Sequence, residues 1–244
     1  MGITGQGSNS LDHGLLILYK SVTMDRSLVL SSSHLYGILD LGYVPYDQVL
    51  ERASQLIEGG IRILQLRAKK QTKEEVLELA QSLAPFCREH ECLFIVNDYP
   101  DIAKACDADG VHIGQDTPDI SAIRSLLGPD KIIGRSTHSF EQALNGYAEG
   151  ADYIGFGPLF PTATKPGRPA IGLSDISKVR SKVPADFPVF CIGGVNEKTL
   201  PDVIASGANR VVIVSWLLTH PDVVATTRDL IDFLDKNANQ VPSV

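Results

Sequence analysis

Short apolar segments alternate with amphipathic segments along the chain from residue 35 onward. The apolar segments are continuous rather than interrupted by polar residues, which is typical of strands covered on both faces of a parallel sheet. The intervening segments carry apolar residues at helical spacing, and glycines or polar caps mark their ends. The predicted strands span residues 35–39, 61–66, 92–96, 110–114, 131–134, 152–156, 189–192 and 210–214. The predicted helices span residues 46–57, 72–90, 101–106, 120–127, 140–149, 173–183, 197–205 and 222–235.

This succession of strand-then-helix units predicts an α/β protein with a single-domain (β/α)8 TIM barrel. An open doubly wound sheet is the alternative, but it typically has a Gly-x-Gly-x-x-Gly turn after its first strand, which this chain lacks. We place the barrel at residues 34–238 and a C-terminal tail at residues 239–244. Residues 1–33 begin Gly/Ser-rich and lack sustained periodicity, so we expect an N-terminal extension outside the core that need not be ordered.

The composition limits the kinds of partner that the protein is expected to bind. The chain has 244 residues, of which 43% are hydrophobic, and its formal net charge of −7 argues against nucleic acid as a partner. Its four cysteines form no C-x-x-C pair, so we expect a reducing compartment and neither a disulfide framework nor structural zinc. No apolar run approaches the roughly 18 residues that a membrane span needs. We therefore predict a cytoplasmic protein that acts on small molecules, binds no membrane and is compatible with a homo-oligomer.

Polar residues and glycines follow nearly every predicted strand, at the end of a TIM barrel where active sites lie. They are Gln65, Arg67, Lys69, Asn97, Asp98, Gln115, Asp116, Thr117, Ser136, His138, Thr162, Thr164, Lys165, Gly193, Gly194 and Ser215. Arg67 and Lys69 alternate onto one side of the extended chain, which favours convergence on an anion. Bare N–H groups at Gly193 and Gly194 suit a phosphate, which TIM barrels often bind after their last two strands. The pattern therefore predicts a phosphate-binding mouth.

Structural roles compete with these functional ones. Arg67 and Lys69 also suit rim ion pairs, which contribute little to stability, and Asp98 suits the cap of the next helix. His112 lies within an apolar strand and is interpreted as a core histidine rather than a base. The loop at residues 157–169 carries four prolines, two threonines, a lysine and an arginine. This composition is typical of a lid over an anionic ligand, with an ordinary surface turn as the alternative.

Short motifs recur at the predicted strand ends. They are Gln-Leu-Arg-Ala-Lys at residues 65–69, Val-Asn-Asp at 96–98, Asp-Gly-Val-His-Ile-Gly-Gln at 109–115, Gly-Arg-Ser-Thr-His at 134–138, Asp-Tyr-Ile-Gly-Phe-Gly-Pro at 152–158, Thr-Ala-Thr-Lys at 162–165 and Ile-Gly-Gly-Val at 192–195. Each motif is weak by itself. As a set in this order, they resemble the thiamine phosphate synthase family over roughly residues 35–235.

The resemblance implies an activity and a set of site residues. The family couples 4-amino-2-methyl-5-hydroxymethylpyrimidine diphosphate to a thiazole phosphate carboxylate or its tautomer, with Mg²⁺ as cofactor and with release of pyrophosphate. The pyrimidine would first ionise to a methylene cation, which the thiazole nitrogen then captures. The implied catalytic residues are Arg67, Lys69, Ser136 and Lys165. The same residues with Gln65 and Asn97 would bind the pyrimidine diphosphate, and the thiazole phosphate would contact Thr162, Ala163, Thr164, Gly194, Val214 and Ser215.

Two departures bear on these implied roles. The family usually has Gln-Glu-Asp where this chain has Gln115-Asp116-Thr117, so neutral Thr117 stands at the position of an implied Mg²⁺ ligand. The metal ligands would then be Asp98 with Asp116, Thr117 or a water. The sister family of TenI-type thiazole tautomerases shares the barrel but has a catalytic histidine where this chain has Pro158. Pro158 favours the synthase, with a tautomerase or a non-catalytic barrel that binds thiamine-pathway phosphates as the alternatives.

Overall fold

The protein is a closed parallel barrel whose strands follow one another in chain order. The structure, a computed structural model, describes residues 24–115, 119–162 and 169–238. The strands are β1 (Leu35–Asp40), β2 (Ile63–Arg67), β3 (Leu93–Asn97), β4 (Gly110–Ile113), β5 (Ile132–Thr137), β6 (Tyr153–Phe156), β7 (Val189–Ile192) and β8 (Val211–Ile213). The predicted TIM barrel is therefore confirmed.

Helices surround the barrel. They are α1 (Arg26–Ser32), α2 (Val49–Glu58), α3 (Lys73–Glu89), α4 (Pro100–Ala105), α5 (Ile120–Leu127), α6 (Phe140–Ala148), α7 (Ile176–Arg180), α8 (Leu200–Ala205), α9 (Ser215–Thr219) and α10 (Val223–Ala238), with a 3₁₀ turn at Tyr46–Gln48 before α2. A capping box is present at the start of α3, because Thr72 and Glu75 each accept a hydrogen bond from the other's backbone N–H. None of the described helices is long and apolar enough to cross a membrane.

Strand pairing closes the ring between β1 and β8, where Leu35 lies opposite Val211. On its other side β1 pairs with β2, and this register places Asp40 next to Arg67. Every residue of β1 and β6 is buried, as the continuous apolar pattern predicted. The ends of these strands are therefore fixed by a rigid scaffold, which suits side chains that must be held in place.

Aromatic rings fill the inside of the barrel. Tyr36, Tyr153 and Phe190 are at most 2% exposed. Their ring centroids lie 5.2 to 5.7 Å apart, and both tyrosines meet Phe190 edge to face. Such contacts stabilise aromatic clusters beyond simple burial. We call these three residues the aromatic floor, because the cavity described below lies directly on them.

Two short helices differ from the sequence-based expectation. Within the predicted extension at residues 1–33, residues 1–23 lie outside the described part of the chain, whereas α1 is capped by Asp25 and buries Leu30 in the core. Arg26 of α1 also pairs with Asp109 at 2.7 Å, so this part of the extension belongs to the barrel. The second helix, α9, was not predicted and begins directly after β8. The tail at residues 239–244 lies outside the described residues.

Candidate active site

A cavity lies at the carboxyl ends of the strands, above the aromatic floor. Its empty space is about 960 Å³, which includes the space that is open to solvent. The residues expected to bind substrate that line it are Gln65, Arg67, Asn97, Ser136, Thr162, Gly194, Val214 and Ser215. The fold thus brings together residues that are spread over six of the strand ends. Their individual roles stay predictions.

Other predicted residues lie elsewhere. Lys69 and Asp98 do not line the cavity but form an ion pair beside it, with side chains 50% and 26% exposed. Asp116, Thr117, Ala163, Thr164 and Lys165 fall outside the described residues. Residues 163–168 of the loop at residues 157–169 do so as well, and the interpretation of this loop as a lid stays a prediction.

The guanidinium of Arg67 is fixed by a carboxylate that the sequence did not single out. Nη1 of Arg67 donates to Oδ2 of Asp40 at 2.6 Å, and the two side chains are 12% and 3% exposed. The backbone N–H of Gly42 donates to the other carboxylate oxygen at 2.9 Å. Because β1 and β2 pair at this level, the ion pair follows from the barrel register. Arg67 is therefore a held cation at the cavity wall rather than a solvated rim residue.

Asp98 makes contacts that are unlike those of a helix cap. Helix α4 has Tyr99 at its cap position and no side-chain cap hydrogen bond, so the capping role considered for Asp98 is wrong. Instead, Oδ2 of Asp98 accepts a hydrogen bond from Nδ2 of Asn97 at 2.7 Å and another from Nζ of Lys69. The backbone of Asp98 is left-handed, with φ of 67°, a conformation that costs a non-glycine residue about 1 kcal/mol or more. Its backbone N–H donates to the carbonyl of His112 at 2.8 Å, which fixes the turn.

The glycines after β7 adopt conformations that suit glycine. Gly193 and Gly194 have φ of 99° and 69°. A Cβ on Gly193 would lie 2.5 Å from Cα of Pro158, and one on Gly194 would lie 2.7 Å from Cβ of Phe160. Side chains are therefore excluded at both positions, and the backbone itself forms this part of the wall. Ser215, which opens α9, lines the same cavity.

His112 is the main functional candidate that sequence reasoning missed. Its neighbours along β4 are apolar, but its ring lines the cavity and is only partly buried, so His112 is not an enclosed core residue; that it does not act as a base stays a prediction. Nε2 lies 2.9 Å from Oγ of Ser136, and Nδ1 lies 3.0 Å from the hydroxyl of Tyr153. His138 also lines the cavity and is hydrogen-bonded through Nδ1 to the carbonyl of Gly157. The sequence did contain a signal: His112 lies two residues from both Gly110 and Gly114, so the three residues share one face of the strand.

Burial sets the protonation of nearby groups. Burial, and then the adjacent Tyr153, raises the pKa of Tyr36 well above its usual value, and burial likewise raises the pKa of Tyr153. Both hydroxyls therefore stay protonated and act as neutral hydrogen-bond groups. Burial also raises the pKa of Cys191 to about 12, which makes this thiol unreactive, in line with a packing role.

These observations define a class of protein. It is a TIM barrel whose mouth combines a fixed arginine, amide and hydroxyl groups, an aromatic floor and a wall of glycine backbone, which suits a planar ring and phosphorylated groups. A family model described as thiamine monophosphate synthase matches residues 35–217. The chain therefore belongs to the thiamine monophosphate synthase family.

Relatives agree with this assignment. The thiamine-phosphate synthase of Shouchella clausii is 39% identical over 203 residues, which cover 83% of this chain and 96% of that protein. The thiamine-phosphate synthase of Synechococcus sp. WH7803 is also 39% identical, over 91% of this chain, but the chain spans only 63% of that protein's length. Among solved structures, the thiamine phosphate pyrophosphorylase of Pyrococcus furiosus superposes with a TM-score of 0.74 at 33% identity, covering 88% of this chain and 98% of its own.

Proposed function

We propose that the protein is a thiamine phosphate synthase, which couples a hydroxymethylpyrimidine diphosphate to a thiazole phosphate and releases pyrophosphate. The observation that carries the proposal is the convergence of Gln65, Arg67, Asn97 and Ser136 with Gly194 and Ser215 on one cavity. In a family with this name, one side of that cavity would bind a diphosphate and the other side would bind a second phosphate.

The chemistry is a substitution at the methylene carbon between the pyrimidine ring and the diphosphate. As the carbon–oxygen bond breaks, negative charge grows on the leaving group and positive charge grows on the ring. Arg67, fixed by Asp40, would stabilise the leaving group more in the transition state than before it, and it needs little reorganisation. The thiazole nitrogen then forms the new bond, and no covalent enzyme intermediate is required.

The pyrimidine would lie on the aromatic floor, where Tyr36, Tyr153 and Phe190 offer apolar ring surface. Gln65 is only 2% exposed, and its amide supplies polar contacts at the edge of that surface. On the opposite side, we propose that Thr162, Ala163 and Thr164 contact the thiazole and that Gly194, Val214 and Ser215 hold its phosphate. Lys165 would act on the diphosphate, as the resemblance implies.

Magnesium fits the residues present. Mg²⁺ commonly takes one or two carboxylates together with substrate phosphates and water. Asp98 offers a hard oxygen beside the cavity, because both of its side-chain contacts in the described residues are made by Oδ2 and Oδ1 remains for a cation. Asp98, with Asp116, Thr117 or a water, would hold the ion. When bound, Mg²⁺ would supply positive charge to the diphosphate.

The tautomerase alternative meets an obstacle in the site. Pro158 lines the cavity where such an enzyme would need an ionisable group, and proline can neither donate nor accept a proton. The non-catalytic alternative is separated by assay. Purified protein is given both substrates and Mg²⁺, and ³¹P NMR follows thiamine phosphate and pyrophosphate. Formation of both supports the synthase, whereas absence of product with retained thiazole phosphate binding contradicts it.

Two variants sharpen that assay. Lys165→Ala should abolish most turnover if the lysine acts on the diphosphate, while thiazole phosphate binding persists. Asp116→Ala should raise the Mg²⁺ concentration needed for half-maximal rate. An unchanged magnesium titration in Asp116→Ala would exclude this carboxylate as the substitute ligand.

A further inference from the structure

A chain of hydrogen bonds crosses the barrel beneath the cavity and ends at Ser136. The hydroxyl of Tyr36 donates to Oε1 of Gln65 at 3.5 Å, and the hydroxyls of Tyr36 and Tyr153 lie 2.8 Å apart. The hydroxyl of Tyr153 lies 3.0 Å from Nδ1 of His112, and Nε2 of His112 lies 2.9 Å from Oγ of Ser136. We call these five residues the polar chain. The substitution chemistry proposed above uses the ring faces of its two tyrosines but assigns no role to their hydroxyl groups.

The donor and the acceptor in each hydrogen bond of the polar chain can be assigned by starting from Gln65. Each tyrosine hydroxyl has a single proton to donate, and both tyrosines are protonated. The distances alone leave the donor between the two tyrosines open, and we infer that Tyr36 gives its proton to the amide oxygen of Gln65, so that the Tyr36 oxygen accepts from Tyr153. Tyr153 has then used its proton, so its oxygen accepts from Nδ1–H of His112. A neutral imidazole with its proton on Nδ1 has a lone pair on Nε2, and Nε2 therefore accepts the hydroxyl proton of Ser136.

The backbone around the polar chain leaves room for its rings. A Cβ on Gly134 of β5 would lie 2.0 Å from Cζ of Tyr153, so the ring occupies space that any other residue would fill. A Cβ on Gly155 of β6 would lie 3.4 Å from Cε1 of His112, in contact with the imidazole. Tyr153 itself is 1% exposed. The two rings are thus confined by neighbouring strands, and their hydrogen bonds have little freedom to rearrange.

We propose that Tyr153, backed by Tyr36, is a positioning residue that holds His112 with its proton on Nδ1, so that Ser136 presents its oxygen lone pairs to the substrate. The consequence for catalysis rests on the proposed function. A serine oxygen whose proton points at imidazole is an acceptor and not a donor towards the cavity. It would stabilise the positive charge that spreads onto the amino-substituted ring as pyrophosphate leaves. No proton is transferred in this step, since the polar chain only fixes which groups donate.

The proton position can be measured without any turnover. Protein labelled with ¹⁵N at histidine gives imidazole shifts that distinguish protonated from unprotonated ring nitrogens, and loss of one signal set in His112→Gln assigns His112. At a pH where the ring is neutral, we expect Nδ1 protonated and Nε2 unprotonated. Tyr153→Phe should remove the acceptor and shift the ring towards the other tautomer. A wild-type ring protonated on Nε2, or an unchanged ring in Tyr153→Phe, would overturn the proposal.

A second variant tests the same proposal in case Tyr153→Phe fails to fold. Tyr36→Phe retains the hydroxyl of Tyr153 but removes the group to which Tyr153 donates, so the tautomer should become mixed. Tyr147→Phe is the matched control, because its exposed hydroxyl lies outside the polar chain, and its spectrum at His112 should equal that of the wild type. If Tyr36→Phe also leaves the tautomer of His112 unchanged, the hydrogen bond between Tyr36 and Gln65 does not determine the proton positions, and the proposal fails.

Kinetics provide a separate readout that a merely structural role would not produce. Tyr153→Phe should lower kcat by roughly tenfold, the effect of one hydrogen bond, with little change in KM for the pyrimidine diphosphate. Added to Ser136→Ala, the same substitution should have no further effect, because Tyr153 acts through Ser136. Multiplicative effects in the double variant would contradict that route. If the wild-type protein has no synthase activity, the proposed function is refuted, but the NMR result on the proton position of His112 still stands.

Discussion

The buried pair between Asp40 and Arg67 allows a prediction about stability. The two side chains are 3% and 12% exposed and meet at 2.6 Å, so Asp40→Asn would leave a guanidinium without its carboxylate in a place largely shielded from water. At an effective dielectric of about 20, unit charges about 4 Å apart attract by roughly 4 kcal/mol. Removal of one member of a buried pair typically costs about 3–5 kcal/mol. For a barrel of this size, a loss of about 3 kcal/mol lowers Tm by roughly 6–12 °C.

Differential scanning calorimetry would measure this shift against a matched control. Lys178 and Asp175 form an ion pair at 2.8 Å whose side chains are 65% and 36% exposed, and Asp175 makes no side-chain cap hydrogen bond. Asp175→Asn should therefore change the free energy of unfolding by no more than about 1 kcal/mol. Equal Tm shifts in Asp40→Asn and Asp175→Asn would refute the idea that burial makes the first pair important.

A double variant tests the cause of the loss. Asp40→Asn combined with Arg67→Met also removes the buried guanidinium that Asp40 binds, and it should be more stable than Asp40→Asn alone. Turnover should still be lost, because the proposed function needs the guanidinium of Arg67 at the cavity wall. If the double variant is as unstable as the sum of the single changes, the buried guanidinium of Arg67 is not what destabilises Asp40→Asn.

Three further outcomes are expected. Gly134→Ala should lower Tm and turnover together, since a Cβ would lie 2.0 Å from Cζ of Tyr153 and overpacking of this kind costs about 1–3 kcal/mol; an unchanged melting curve would contradict the close approach. Lys69→Ala should leave Tm within a few degrees of the wild type, because its ion pair is half exposed, yet it should reduce turnover in the synthase assay. Cys191 should resist iodoacetamide at pH 8 until the protein unfolds, because a pKa of about 12 leaves only about 0.01% thiolate; mass spectrometry of the labelled peptide checks this.

The sequence was sufficient for the barrel because its strands are buried on both faces and therefore appear as continuous apolar runs. It was insufficient for Asp40, whose partner is set by the pairing of β1 with β2 rather than by any nearby residue. The position of His112 at the cavity was not predicted for a related reason, since its apolar neighbours in the chain say nothing about which face of β4 lines a cavity. Helix α9 was missed because residues 215–219 follow an apolar strand without a glycine, a proline or a side-chain cap to mark the change.

Arg67 ends β2 and Lys69 follows it, and the two cations are held in different ways. This difference fits the proposed chemistry. Arg67 is paired with a buried carboxylate, so its position persists whether or not a substrate is bound. Lys69 is half exposed, and exposed pairs contribute at most about 1 kcal/mol, so its pairing with Asp98 is easily exchanged. Under the proposed function, a diphosphate with its Mg²⁺ would give each of the two side chains a stronger partner, the phosphate for Lys69 and the metal ion for Asp98. On that proposal, the site would join a fixed cation, which needs no reorganisation, to an ion pair that separates when the diphosphate and the metal ion bind.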